Sequence, residues 1–158
     1  MVKGARVGSL LPKHKKLVEY IAKEYWWTNK IAEIGVGFYP FPSCLLKQLT
    51  KKQIIVVDNN MEALRYALKH CPDLVAVYDN IMKPNLQVYC DVDLLYSIRP
   101  NEELIPYIED LASKIKADLI ISPMEYTGLL RGWKKVRLGE YLFHVRLFSN
   151  DPSSSFSF

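Results

Sequence analysis

The sequence predicts an α/β protein of three layers. A mostly parallel sheet carries helices on both faces, in the Rossmann-like manner, and ends in an antiparallel hairpin. Three observations predict this. Short apolar runs that read as buried strands alternate with stretches whose apolar residues recur at helical spacing. Repeated strand–helix units call for a parallel sheet covered on both sides. Near the end, 134–138 and 141–148 flank Gly139-Glu140 and read as a hairpin.

The elements follow in order. A helix is expected from Pro12, with Leu17, Ile21 and Tyr25 on one face and Val18 and Ala22 beside them. Trp26-Trp27 then lead into the first strand, as core or lid packing or as a stacking platform for a base. That strand runs from Lys30 into Gly35 and Gly37. Pro42 or Ser43 starts a short helix with Leu45, Leu46 and Leu49 inward. The second strand, 53–57, ends on Asp58. Asn59 or Asn60 caps the helix that turns Ala63, Leu64, Ala67 and Leu68 to the sheet. A third strand, 74–78, ends in Asp79-Asn80. The segment 81–91 is too short for a crossover helix with its loops, so an abbreviated connection is expected. After the fourth strand, 92–97, a loose turn from Asn101 is expected to run into a regular helix at Pro106. Leu104, Ile108, Leu111, Ala112 and Ile115 form its stripe. The fifth strand is 118–122. The 123–133 connection is short, which leaves the order of the last strands open. A single domain over 1–149 and a disordered tail over 150–158 are expected.

The 158 residues are 49% hydrophobic and 24% charged, a composition that can bury a core. Their net charge of +4 is mild for a nucleic-acid binder. The basic run Lys3, Arg6, Lys13, Lys15 and Lys16 reads as a solvated arm, with RNA contact as the alternative. No apolar run is long enough to span a membrane, and the N-terminus has no signal-peptide core. Cys44, Cys71 and Cys90 are far apart and odd in number, so buried free thiols are expected rather than disulfides. Neither the cysteines nor the histidines have metal-ligand spacing. A reduced, cytoplasmic protein without a metal is the expectation.

The stretch with chemical content is Glu33-Ile34-Gly35-Val36-Gly37-Phe38-Tyr39-Pro40. Glycines allow a tight turn and close approach of a ligand to the backbone. Asp58 follows Gly35 by 23 residues, near the spacing that sets an acid against a ribose. Glu33-Ile34-Gly35-Val36-Gly37 resembles the E/D-x-G-x-G signature of class I S-adenosylmethionine (SAM) dependent methyltransferases. The resemblance implies that Glu33, Gly35 and Gly37 surround the amino acid moiety of SAM and that Asp58 holds its ribose. Tyr39 and Asn59 complete the implied contacts, with Asp79 and Asn80 at the adenine. The other reading of Asp79-Asn80 is a plain turn. One departure is visible: Tyr39 stands where many members have a third glycine. Tyr39 and the Phe-Pro crowd after it disfavour a dinucleotide pyrophosphate, hence an NAD(P)-dependent oxidoreductase.

A second block, Asp91-Val92-Asp93-Leu94-Leu95-Tyr96-Ser97-Ile98-Arg99-Pro100-Asn101-Glu102-Glu103-Leu104, is more distinctive. With Asp79-Asn80-Ile81 and Pro84 it is similar to a small uncharacterised protein family of archaeal genomes that resembles a minimal class I methyltransferase. Ligands of open α/β sheets bind beyond the carboxyl ends of the strands, at the switch in strand order. Tyr96, Ser97 and Arg99 are therefore expected to face a methyl acceptor, Arg99 holding an anionic substrate. The competing reading packs Tyr96, turns the chain at Ser97 and pairs Arg99 with Glu102 or Glu103. The expected activity is in-line methyl transfer by positioning, to an acceptor the sequence does not name. A non-catalytic module for SAM or another adenosine ligand, acting with a partner protein, is the alternative.

Overall fold

The computed structural model describes residues 9–149. The expected tail and the start of the basic arm lie outside them. Seven strands form one sheet in the order β3-β2-β1-β4-β5-β7-β6. They are β1 (Lys30–Ile34), β2 (Gln53–Asp58), β3 (Val75–Tyr78), β4 (Val92–Ile98), β5 (Asp118–Ser122), β6 (Lys134–Leu138) and β7 (Tyr141–Arg146). The first five pair in parallel, and β7 runs antiparallel between β5 and β6. The hairpin thus enters the sheet through its second strand.

Among the described residues are four α-helices: α1 (Pro12–Glu24), which precedes β1, and α2 (Phe41–Thr50), α3 (Met61–His70) and α4 (Ile105–Ile115) between strands. Leu17, Val18 and Ile21 of α1, Leu45 and Leu46 of α2 and Leu64 and Ala67 of α3 meet one face of the sheet, through Ile31, Ile54, Val56, Leu94 and Tyr96. Alternating residues Ala32, Ile55, Val57, Leu95 and Leu119 face the other way, toward Ile105, Ile108 and Leu111 of α4. Both faces of the central strands are buried, which is why they read as unbroken apolar runs.

Local chemistry sets the helix ends. Asn60 Oδ1 accepts from the Glu62 N–H at 2.9 Å and so caps α3. Pro12, Pro42 and Pro106 each sit in a first turn, where the missing N–H costs nothing. Before α4 the chain makes a short 3-10 turn, Glu102–Leu104, which is the loose start expected at Asn101. The connection after β3 holds only a 3-10 turn, Leu86–Tyr89. Lys52 Nζ closes the end of α1, donating to the carbonyls of Tyr25 (3.0 Å), Trp26 (2.8 Å) and Thr28 (2.7 Å).

The expectation of free thiols needs correction at two positions. Cys44, in the first turn of α2, and Cys71, just after α3, are joined as a disulfide, with Cα atoms 5.8 Å apart. Their Cα separation is ordinary for a disulfide. Cys90 is free and exposed. Among the described residues no helix is long and apolar enough to cross a membrane.

Candidate functional site

Leaving β1, the chain goes to β2 on one side, while β4 lies on the other. The glycine turn sits at this switch. Gly35 (φ 74°) and Gly37 (φ 55°) occupy the left-handed region, and no atom lies within 4 Å of where a Cβ on either would stand. The turn is therefore open on its outer side. The Gly35 and Val36 N–H groups donate to the Val57 carbonyl at 2.8 and 3.1 Å, which ties the turn to the end of β2.

Above it lies a cleft of about 260 Å³. Its polar lining includes Asp58, Asn59, Asp79, Asn80, Ser97 and Arg99, with Gly35 at its base. Ile81, Met82, Leu104 and Ile108 supply an apolar wall. The sequence hid this wall. Leu104 and Ile108 are four apart on a helix and read simply as core stripe, and Ile81-Met82 lie in an irregular connection.

Each acid of the site is already held. Asp58 Oδ2 accepts from the Gly37 N–H (2.8 Å) and Oδ1 from the Asn60 N–H (3.0 Å). It thereby braces both the glycine turn and the start of α3. Asp79 Oδ1 accepts from the Asn85 N–H (3.2 Å) and Oδ2 from the Tyr89 hydroxyl (2.7 Å). The abbreviated connection after β3 therefore folds back to hold Asp79. Asn80 Oδ1 accepts from the Met82 N–H (3.0 Å), so its side chain does form the turn that Asp-Asn suggested.

Glu33 stands behind the turn, 1% exposed. Ser43 Oγ donates to its Oε1 at 2.7 Å and the Tyr96 hydroxyl at 3.2 Å, and Ser43 and Tyr96 bond each other closely. Burial pushes the Glu33 carboxyl up to about 8, more than the two hydroxyls pull it back, and the Asp58 charge adds to the rise. Burial, followed by the Glu33 charge, likewise raises the Tyr96 phenol.

This corrects the expectation for Tyr96, which is fully buried with Glu33 and does not reach the cleft. Alternation along β4 sends Ser97 the other way. It lines the cleft, but its hydroxyl donates to the Ile34 carbonyl at 2.7 Å. Arg99 is exposed at the mouth with φ 51°, and its guanidinium lies 5.1 Å from the Tyr39 ring centroid. The ion pair with Glu102 or Glu103 is absent among the described residues; Glu102 accepts from Thr127 Oγ1 instead, at 2.7 Å. Tyr39 is beside the cleft rather than in its lining. Its oxygen accepts from the Leu11 N–H at 3.0 Å and lies 2.7 Å from His14 Nδ1. His14 was not singled out by the sequence. Burial, then the charges of Arg99 and Lys13, lower its pKa to about 4, so it is neutral at pH 7. Trp26 and Trp27 precede β1 and so stand at the opposite end of the sheet from the cleft.

Sheet order, glycine turn and closing hairpin define a class: the Rossmann-like fold of class I methyltransferases. Solved structures agree. The chain superposes with a TM-score of 0.67 on a Methanococcus maripaludis protein put forward as an S-adenosyl-L-methionine-dependent methyltransferase, at 12% identity over 88% of this chain and 86% of that one. With the human methyltransferase 10 domain containing protein the TM-score is 0.63, at 11% identity over 89% and 83%. At such identities the likeness carries the fold. Residues 14–146 match the uncharacterised protein family UPF0146, and the chain belongs to that family. A UPF0146 protein of Methanocaldococcus jannaschii is 41% identical over 70% of this chain and 79% of its own length. One from Pyrococcus horikoshii is 40% identical over 77% and 89%.

Proposed function

We propose that the protein binds SAM and transfers its methyl group to an acceptor. The observation that carries this reading is the cleft at the β1–β4 switch, where an open glycine turn, two acids and an apolar wall converge. The residues fit the cofactor. Asp58, at the end of β2, keeps lone pairs for the ribose hydroxyls. The wall of Ile81, Met82, Leu104 and Ile108 suits a flat adenine, with Asp79 and Asn80 beside it. Gly35 leaves room for the amino acid moiety. Glu33, its carboxyl pushed up to about 8 by burial, lies behind the turn, bonded to Ser43 and Tyr96. When bound, SAM supplies an electrophilic methyl on a sulfonium: an acceptor lone pair takes the carbon as the carbon–sulfur bond breaks and its electron pair stays on sulfur.

The chain's own part is positioning. The Ser97 hydroxyl fixes the end of β4 to β1, and Arg99 stands at the mouth on the acceptor side. One observation favours the non-catalytic alternative. The Tyr96 and Ser97 hydroxyls are both committed inside the protein, so of the three residues expected at the acceptor only Arg99 presents a free polar group to the cleft. Incubating the purified protein with methyl-labelled SAM and cell extracts tests the two readings. Incorporation above the level of an Arg99→Ala control supports the enzyme. SAM binding without incorporation across varied extracts supports the module.

A further inference from the structure

The two flanks of the cleft differ in charge. The β2–β3 flank carries Asp58 and Asp79. The flank toward α1 and β5 is basic. Arg99 and Lys13 both stand close enough to His14 for their charge to depress it. Lys13 Nζ lies 5.7 Å from the ring centroid of Phe143. That ring is one register step beyond the Ile121–His144 pair of β5 and β7, hence level with Ser122. Ser122 in turn accepts the Arg99 N–H on its carbonyl at 2.7 Å. Lys13 and Arg99 thus both lie within electrostatic reach of His14, and the Arg99 backbone is tied to the end of β5.

Three features of this group lack a use inside the protein. Among the described residues, Arg99 and Lys13 form no ion pair. The Ser122 hydroxyl, 1% exposed, has no hydrogen-bond partner. Arg99 also holds a left-handed backbone that a side-chain-bearing residue rarely adopts, directly before a proline. The Tyr39 ring supports one face of its guanidinium, and the Leu11 N–H and His14 anchor the Tyr39 oxygen. A planar fork held by stacking leaves its edge to receive two oxygens of one anion.

Resting on the methyltransferase reading, we propose that the acceptor is a small molecule bearing a carboxylate or phosphate group, received by Arg99 and Lys13. The cationic cofactor then meets the acidic flank and the anionic acceptor the basic one. This opposition sets the orientation of both.

The experiment fractionates the acceptor. A cell extract is passed through a membrane that admits only small molecules, and the filtrate is applied to an anion-exchange resin. Each fraction is assayed with the full-length protein and methyl-labelled SAM. The acceptor is expected in the filtrate and in the salt eluate of the resin. Phosphatase treatment of that eluate abolishes incorporation for a phosphate acceptor and spares a carboxylate one. Arg99→Ala and, independently, Lys13→Ala are expected to raise the KM for the eluate at least tenfold while the KM for SAM stays within twofold. Arg99→Lys should recover only part of the loss. Melting curves confirm that each variant is folded. Acceptor activity in the resin flow-through overturns the proposal and leaves the methyltransferase reading standing. So does activity confined to a nuclease-sensitive large fraction, or equal KM values in a folded Lys13→Ala variant. Absence of incorporation from every fraction overturns the methyltransferase reading, and this proposal with it.

Discussion

Asp58 joins three roles in one carboxylate: one oxygen holds the glycine turn, the other the start of α3, and both border the cleft. As a strand-end acid it looked free to wait for a ligand. Its bonds to Gly37 and Asn60 say otherwise. Asp58→Ala is accordingly expected to weaken S-adenosylhomocysteine binding by roughly 1.5–3 kcal/mol and to lower stability by about 1–3 kcal/mol, because two backbone donors lose their acceptor. Calorimetry and denaturant unfolding measure the two separately, and an unchanged affinity in the folded variant would remove Asp58 from the site. Glu33 makes a prediction in pH. Its folded pKa, about 8, lies above its ordinary 4.5, so its contribution is complete below pH 4.5 and is lost as pH rises through 8. His14 has the opposite slope, its folded value near 4 lying below 6.5, so its effect is confined to lower pH. His144, lowered by burial as well, also acts only below 6.5, so between pH 6.5 and 8 the slope from Glu33 is not opposed by either histidine. Glu33→Gln, which keeps an acceptor for Ser43 and Tyr96, should flatten that slope and gain on the wild type as pH rises. Parallel unfolding profiles for the two proteins would show that Glu33 does not titrate in this range.

At the scale of elements, strands and helices were largely legible because the central strands are buried on both faces and the helices on one. Even the loose start of α4 followed from the position of Pro106. Three things were not legible. The place of β7 between β5 and β6 depends on tertiary pairing that the short 123–133 connection does not encode. Leu104 and Ile108 serve core and cleft with the same apolar pattern. The Cys44–Cys71 disulfide joins residues 27 apart, brought together only because α2 begins where α3 ends. Closing a loop of that length limits the unfolded chain by about 3.5 kcal/mol in the entropic account. Cys71→Ser should therefore lower the unfolding free energy by roughly 2–4 kcal/mol, and a reducing agent should do the same to the wild type but nothing further to the variant. Lys52 offers a smaller test. Replacing it by Met strips the end of α1 of an ammonium that bonds three carbonyls, an expected cost of about 1–3 kcal/mol read from the denaturant midpoint.

For the whole molecule, the sheet order places the glycine turn and the strand-end residues at one end, and Trp26-Trp27 at the other. The glycine turn, Asp58, Asp79-Asn80 and Arg99 all lie at the carboxyl ends of parallel strands, so the fold gathers residues far apart in sequence into one cleft. This much of the site could be read from strand ends and glycines. What could not be read is which hydroxyls remain free. Tyr96 and Ser97 are adjacent on β4, and only the pleat decides that one joins Glu33 in the core while the other lines the cleft. His14 and its contact with the Tyr39 hydroxyl were equally hidden, since only the packing of α1 against the turn brings them together.

Thermal unfolding with ligands measures the central claim most directly. S-adenosylhomocysteine or SAM at 100 times its dissociation constant stabilises a protein by about 2.7 kcal/mol, a rise in melting temperature of roughly 5–10 °C at this size. The account predicts such a rise with either adenosyl ligand and none with NAD or NADP. A clear rise with NAD and none with SAM or S-adenosylhomocysteine would contradict it.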